Sequence, residues 1–245
     1  MFYFDGTMLL LIPAILLSIY AQWKVQSTFA KYSKVRNRRG VTGAQVADAI
    51  LHGYGTAAGI EADKIADARA GLAAVNIEAT PGELSDHYDP RGKVLRLSEP
   101  VYGSDSIAAV SVAAHEAGHA LQHAVAYPYL GLRSVVVPVA NIGSKLAFPI
   151  LIVGFIIPAL FVQALNIAIL LYIGVVAFTL ITLPVEFNAS SRALRVLENG
   201  GYLAADELPA ARAVLSAAAL TYVAATVSAV MMLLRLVLLR NMNSR

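Results

Sequence analysis

The sequence contains no cysteine, which excludes disulfide scaffolds, thiol catalysis and cysteine-held metal together. It is also poor in charge. Only 14% of its 245 residues are Asp, Glu, Lys or Arg, against about a quarter in ordinary soluble domains, while 58% are hydrophobic. A wholly water-exposed globule is excluded by those figures, and so is a disordered chain, which needs more polar residues to stay open. The net charge of +3 is small, and the one basic run has only Phe29 and Tyr32 near it as base-stacking aromatics, so nucleic acid is not expected as a partner. What the chain does have is long apolar runs.

Crossing a bilayer core takes about 20 mostly apolar residues. Residues 2–23 form one such run, with Asp5 its only charge and Trp23 at its end, and read as a retained anchor. Between Lys145 and Glu186 lie 40 residues without a charge. As helix they extend roughly 60 Å, enough for two crossings. Gln163 to Asn166 is the polar interruption near their middle, and a tight hairpin is expected there. A fourth span covers about 220–239, with Arg235 snorkelling or facing protein. Lys24, Lys31, Lys34, Arg36, Arg38 and Arg39 follow the first span with no acid among them. By the positive-inside rule they place residues 24 to about 134 in the cytosol, although Arg240 and Arg245 at the other end disagree.

Between the spans, Thr42 and Gln45 suggest a capping box that opens a short helix ending at His52, Gly53 and Gly55. A helix is expected over 61–74 and strands over 75–78, 84–88 and 93–97. The last two are joined by Asp89-Pro90-Arg91-Gly92 as a hairpin turn. A long helix over 106–126 and another from Pro184 to about Glu198 complete the reading.

The chemistry concentrates in His115-Glu116-Ala117-Gly118-His119. Residues i and i+4 share a helix face, so two imidazoles can hold one Zn²⁺, which brings a water's pKa down to about 7. Glu116 stands beside the first ligand as the base for that water. A hydrolytic site needs a third ligand and an open position. From residue 106 to 197 the only acids are Glu116 and Glu186. A lone carboxylate at the edge of a span is costly without a partner, so Glu186 is expected as the third ligand. Ala189, Ser190 and Ala193 on its face are small enough for close approach to the His115 helix. His123 borders the metal face and is expected to orient or pack. His87 and Tyr88, at the hairpin, are candidates for stabilising an oxyanion. The strand Lys93, Val94, Leu95, Arg96 and Leu97 is expected to pair with extended substrate backbone.

HEAGHALQH, preceded by LSDHYDPRGKVLRLS and followed by VEFNASSRAL, resembles the YugP-like membrane zinc metallopeptidases, neutral metallopeptidase family 2. The likeness runs over nearly the whole chain. It implies a mainly α, polytopic membrane protein of about four transmembrane helices with a zincin-like α+β insert. It also implies a peptidase of the glutamate-third-ligand type, with one Zn²⁺ on His115, His119 and Glu186 and with Glu116 as base. Related proteases often carry Asp four residues after the third ligand; here that position is Ser190, a weaker partner for a zinc histidine.

On this reading residues 1–23 are an anchor and 24–134 a cytosolic segment with the hairpin and the metal helix. Residues 135–185 are a two-span hairpin, 186–219 the third-ligand helix and connector, and 220–245 the last span. The expected protein is a multi-pass enzyme of a bacterial inner membrane. Its site would face the cytoplasm, just above the bilayer, and act on protein or peptide substrates in or near the membrane. Its oligomeric state is open. A zinc-binding scaffold without activity, and an intramembrane protease with the site below the interface, are the competing readings.

Overall fold

Local signals set the helix boundaries. In the computed structural model, which describes residues 6–53 and 65–243, Thr42 Oγ1 accepts from Gln45 N at 3.3 Å. Gln45 Oε1 in turn accepts from Thr42 N at 2.9 Å, a closed capping box. Ser106 Oγ accepts from Ala109 N at 3.1 Å and opens the metal helix in the same way. Expectations resting on residues 2–5, 55, 61–64 and 245 lie outside the described residues.

The order is α1 (Leu11–Tyr32, entered through a 3-10 turn), α2 (Gly43–His52), α3 (Ile65–Ala73), β1 (Asn76–Thr80), β2 (His87–Asp89) and β3 (Val94–Ser98). Then come α4 (Glu99–Tyr102), α5 (Ile107–Ala124), α6 (Pro128–Ile156), α7 (Phe161–Asn199) and α8 (Leu208–Asn243). These elements fall into two units.

One unit comprises Met1–Trp23, Gly131–Pro184 and Leu220–Arg245. Among the described residues four helices are long and apolar enough to cross a membrane, and they expose Leu16, Phe148, Phe155 and Leu170. Such faces are stable only in lipid, so the chain is a polytopic membrane protein. Inside this unit helices meet through small residues. A Cβ on Gly143 would stand 2.8 Å from Leu171 O, so α6 and α7 touch backbone to backbone there. Arg235 Nε donates to Thr7 Oγ1 at 3.3 Å, which answers where that charge goes.

The hairpin turn differs from expectation. It lies at Ile157–Leu160, where Pro158 lacks the N–H that would continue α6, and not at Gln163–Asn166. Those two polar residues sit in the first turns of α7, and Asn166 Oδ1 accepts from Arg240 Nε at 3.2 Å. Nor does a new helix begin after Pro184. The proline removes one rung from a 39-residue helix, which continues through it.

The second unit comprises Lys24–Leu130 and Val185–Ala219. Its core is Val46, Ile50 and Leu51 of α2, Leu95 and Leu97 of β3, Val110 and Leu121 of α5, and Val196 and Leu197 of α7. The sheet runs β1-β3-β2, with β1 parallel and β2 antiparallel to β3. This corrects the substrate-pairing expectation for Val94, Leu95, Arg96 and Leu97. The strand is central: β1 pairs along Val94–Ser98 and β2 along Val94–Arg96, so both of its sides are taken over the shared residues. Lys93 precedes the strand in a left-handed turn, φ 49°. Leu84, expected to begin a strand, has φ 55° and leaves only three residues for β2.

The basic run is also put to structural use. Arg36 Nε donates to Asp105 Oδ2 at 2.7 Å, Arg38 pairs with Asp206, and Arg39 Nη1 donates to Gly200 O at 3.1 Å.

Candidate metal centre

Helix α5 can carry a metal site because its N-terminal two turns are small and apolar and bury without strain. Ala109, Ala113 and Ala117 are fully covered. Gly118 faces α7 so closely that a Cβ would stand 2.8 Å from Ala189 O. Ala189 and Ala193 are buried against it. This approach of α5 and α7 brings three side chains together. Glu186 Oε2 lies 3.3 Å from His115 Nε2 and 3.5 Å from His119 Nε2, and the three ligand atoms all fall within 4.8 Å of one another.

That set fits a divalent ion by its chemistry and its spacing. Two imidazoles and a carboxylate are a familiar catalytic zinc set. Ligands at about 2.0–2.1 Å on a tetrahedron are about 3.3–3.4 Å apart, close to the two separations from Glu186 Oε2. Glu186 is 1% exposed, and a carboxylate so deep requires a positive partner. The field agrees. Burial works against charging His119, yet the Glu186 and Glu116 carboxylates more than offset it, so its pKa lies above the ordinary imidazole value. Glu116 itself is only partly covered, as a group that must reach water should be.

Each histidine of the cluster is held from behind. Ser190 Oγ is 3.1 Å from His115 Nδ1, and Gln122 Oε1 is 3.0 Å from His119 Nδ1. Gln122, completely buried, also donates to Val185 O at 2.7 Å and to Asn188 Oδ1 at 3.0 Å. Asn188 in turn accepts from Arg192 Nε at 2.8 Å. The sequence reading missed Gln122 and set Asn188 aside. The available signal was position: Gln122 follows His119 by three residues, the spacing that shares a helix face.

The remaining candidates have partners of their own. His123 Nδ1 is bonded to the Tyr88 hydroxyl at 2.8 Å and is exposed. Burial, with Asp89 adding to it, pushes the Tyr88 hydroxyl up to about 12, so it stays protonated. His87 Nδ1 meets Ser85 O at 2.8 Å and its other nitrogen faces Arg96 at 3.4 Å. His52 bonds Asp48 and Val75 O instead of capping its helix.

Residues 7–241 match the family described as "Putative neutral zinc metallopeptidase". Among curated proteins, the chain is 45% identical over 230 residues to "Putative membrane protease YugP" of Bacillus subtilis (strain 168), covering 94% of each chain. No solved structure matches.

Proposed function

This chain belongs to the neutral zinc metallopeptidase family and is a membrane zinc protease, and from that premise we propose that His115, His119 and Glu186 hold one Zn²⁺ while Glu116 carries the proton. When bound, the ion supplies a Lewis acid that activates water and polarises the scissile carbonyl. Glu116 takes a proton from the attacking water at its carboxylate and delivers it to the amine nitrogen as the C–N bond breaks. Ser190 and Gln122 orient the two histidines.

Three ligands from the chain leave a position open for water and substrate. A structural site would need a fourth, and among the described residues the cluster able to hold an ion comprises His115, His119 and Glu186 alone. We read β2 as the edge that takes substrate backbone, since among the described residues only one of its sides is paired in the sheet. The substrates on this reading are membrane or membrane-proximal proteins. The Lys24, Lys31 and Lys34 cluster after the first span supports a cytoplasmic site in a bacterial cell membrane.

The observation that carries the proposal is the convergence of Glu186 Oε2 on both imidazoles at 3.3 and 3.5 Å. Its test uses the full chain in detergent, with zinc content and casein hydrolysis measured together. Glu116→Gln should keep its zinc and lose about 10²–10⁴-fold in rate. His119→Ala should lose the zinc. Hydrolysis at the wild-type rate in Glu116→Gln would overturn the mechanism.

A further inference from the structure

We infer that Gln122 is a positioning residue for His119, and that Arg192, acting through Asn188, fixes the direction of every hydrogen bond between them. The order can be read from one end of the chain of contacts to the other. Arg192 carries only donors, so the Asn188 atom facing its Nε at 2.8 Å is the oxygen. That same oxygen faces the Gln122 side chain at 3.0 Å, which makes the Gln122 atom there a nitrogen. The Val185 carbonyl, 2.7 Å from the same nitrogen, can only accept and demands the same assignment independently.

Gln122 Oε1 therefore turns to His119 Nδ1 and can only accept from it. Nδ1 therefore carries a proton, and Nε2, which faces Glu186 at 3.5 Å, is the nitrogen left for a metal. Metal ligation requires that tautomer. Water cannot substitute for the amide, because Gln122 has no exposed surface. His115 lacks an equivalent device: the Ser190 hydroxyl can donate or accept, so it fixes the ring without fixing the proton. The directional order of the site thus enters through the Gln122 arm.

Polarity makes the inference testable, because it ranks substitutions differently from size. Asn188→Asp keeps an oxygen that accepts from both neighbours. Gln122→Glu presents an unprotonated oxygen to two acceptors, the Val185 carbonyl and Asn188 Oδ1. Gln122→Met fills the volume and bonds nothing. Zinc affinity is measured by chelator competition on the detergent-solubilised full chain, with thermal unfolding of the metal-free chain as the folding control.

Gln122→Met and Gln122→Glu should each weaken zinc about 10–100-fold. Asn188→Leu should weaken it as well, and Asn188→Asp should match wild type. Zinc held by Gln122→Met as tightly as by wild type overturns the inference. So does Asn188→Asp falling as far as Asn188→Leu, which a packing role would allow. If the Gln122 variants do not fold, the Asn188 pair decides alone. The inference rests on the ligand assignment above, and the two fail differently. A wild-type chain that binds no zinc refutes the assignment, whereas zinc held equally by every variant refutes only this.

Discussion

Helix α7 is used in opposite ways on the two sides of Pro184. Before it, Leu170, Ile173 and Leu180 are 69%, 51% and 51% exposed; after it, Glu186, Ala189 and Ala193 are at most 1% exposed. The first half needs lipid around it, and the second needs protein. Both halves nevertheless meet their neighbours by the same device, a backbone contact made possible by a glycine. Gly143 meets Leu171 O in the membrane unit and Gly118 meets Ala189 O in the other, each at 2.8 Å from where a Cβ would sit. What differs is what the contact serves: one brings spans together, the other brings Glu186 to two histidines.

The comparison can be broken most sharply at those glycines. Gly118→Val should cost about 1–3 kcal/mol in thermal unfolding, because α5 and α7 must separate, and zinc affinity should fall with it. Gly143→Val should leave zinc affinity at the wild-type value. Equal losses of zinc in both would show that the site depends on span packing after all.

A smaller effect sets two serines against each other. Ser190→Ala removes the partner of His115 Nδ1 and should weaken zinc about tenfold in chelator competition. Ser18→Ala removes a contact of 3.2 Å with Ser228 Oγ between α1 and α8; it should cost about 0.6 kcal/mol of stability and leave zinc binding alone.

The smallest effect is electrostatic and confined to the second unit. Arg36, bonded to Asp105 and charged beside it, holds the Asp105 carboxyl below its ordinary value. A depressed folded pKa contributes stability that is present above the unfolded value, about 3.9, and is lost as pH falls through the folded one. Asp105→Asn should therefore lower stability slightly near neutral pH, leave it unchanged below the folded pKa, and so flatten the acid limb of the unfolding curve. An unaltered acid limb would count against the pair.

How much of this the sequence disclosed follows from the kind of signal each residue carries. That Glu186 meets the two histidines was legible because a solitary acid at the end of 40 uncharged residues demands a partner. His115 and His119 were legible from spacing alone. The turn at Ile157–Leu160 was not, since it is as apolar as the spans it joins and is marked only by Pro158, while Gln163 and Asn166 drew attention by polarity. Pro184 pointed to a break that the helix absorbs. The central position of β3 depends on β1 joining it in parallel, a long-range pairing that no local pattern announces. Gln122 and Asn188 are neutral amides, common everywhere, and only the geometry reveals which groups they face.

The arginine contacts at the start of the second unit bear on how orientation should be mapped. Arg36, Arg38 and Arg39 are tied to Asp105, Asp206 and Gly200, so reversing their charge disturbs these attachments along with any preference for one side of the bilayer. Reporter fusions combined with charge swaps there would read damage as inversion. Lys24 and Lys34 offer the cleaner handles, because swapping them tests sidedness while those three attachments stay intact.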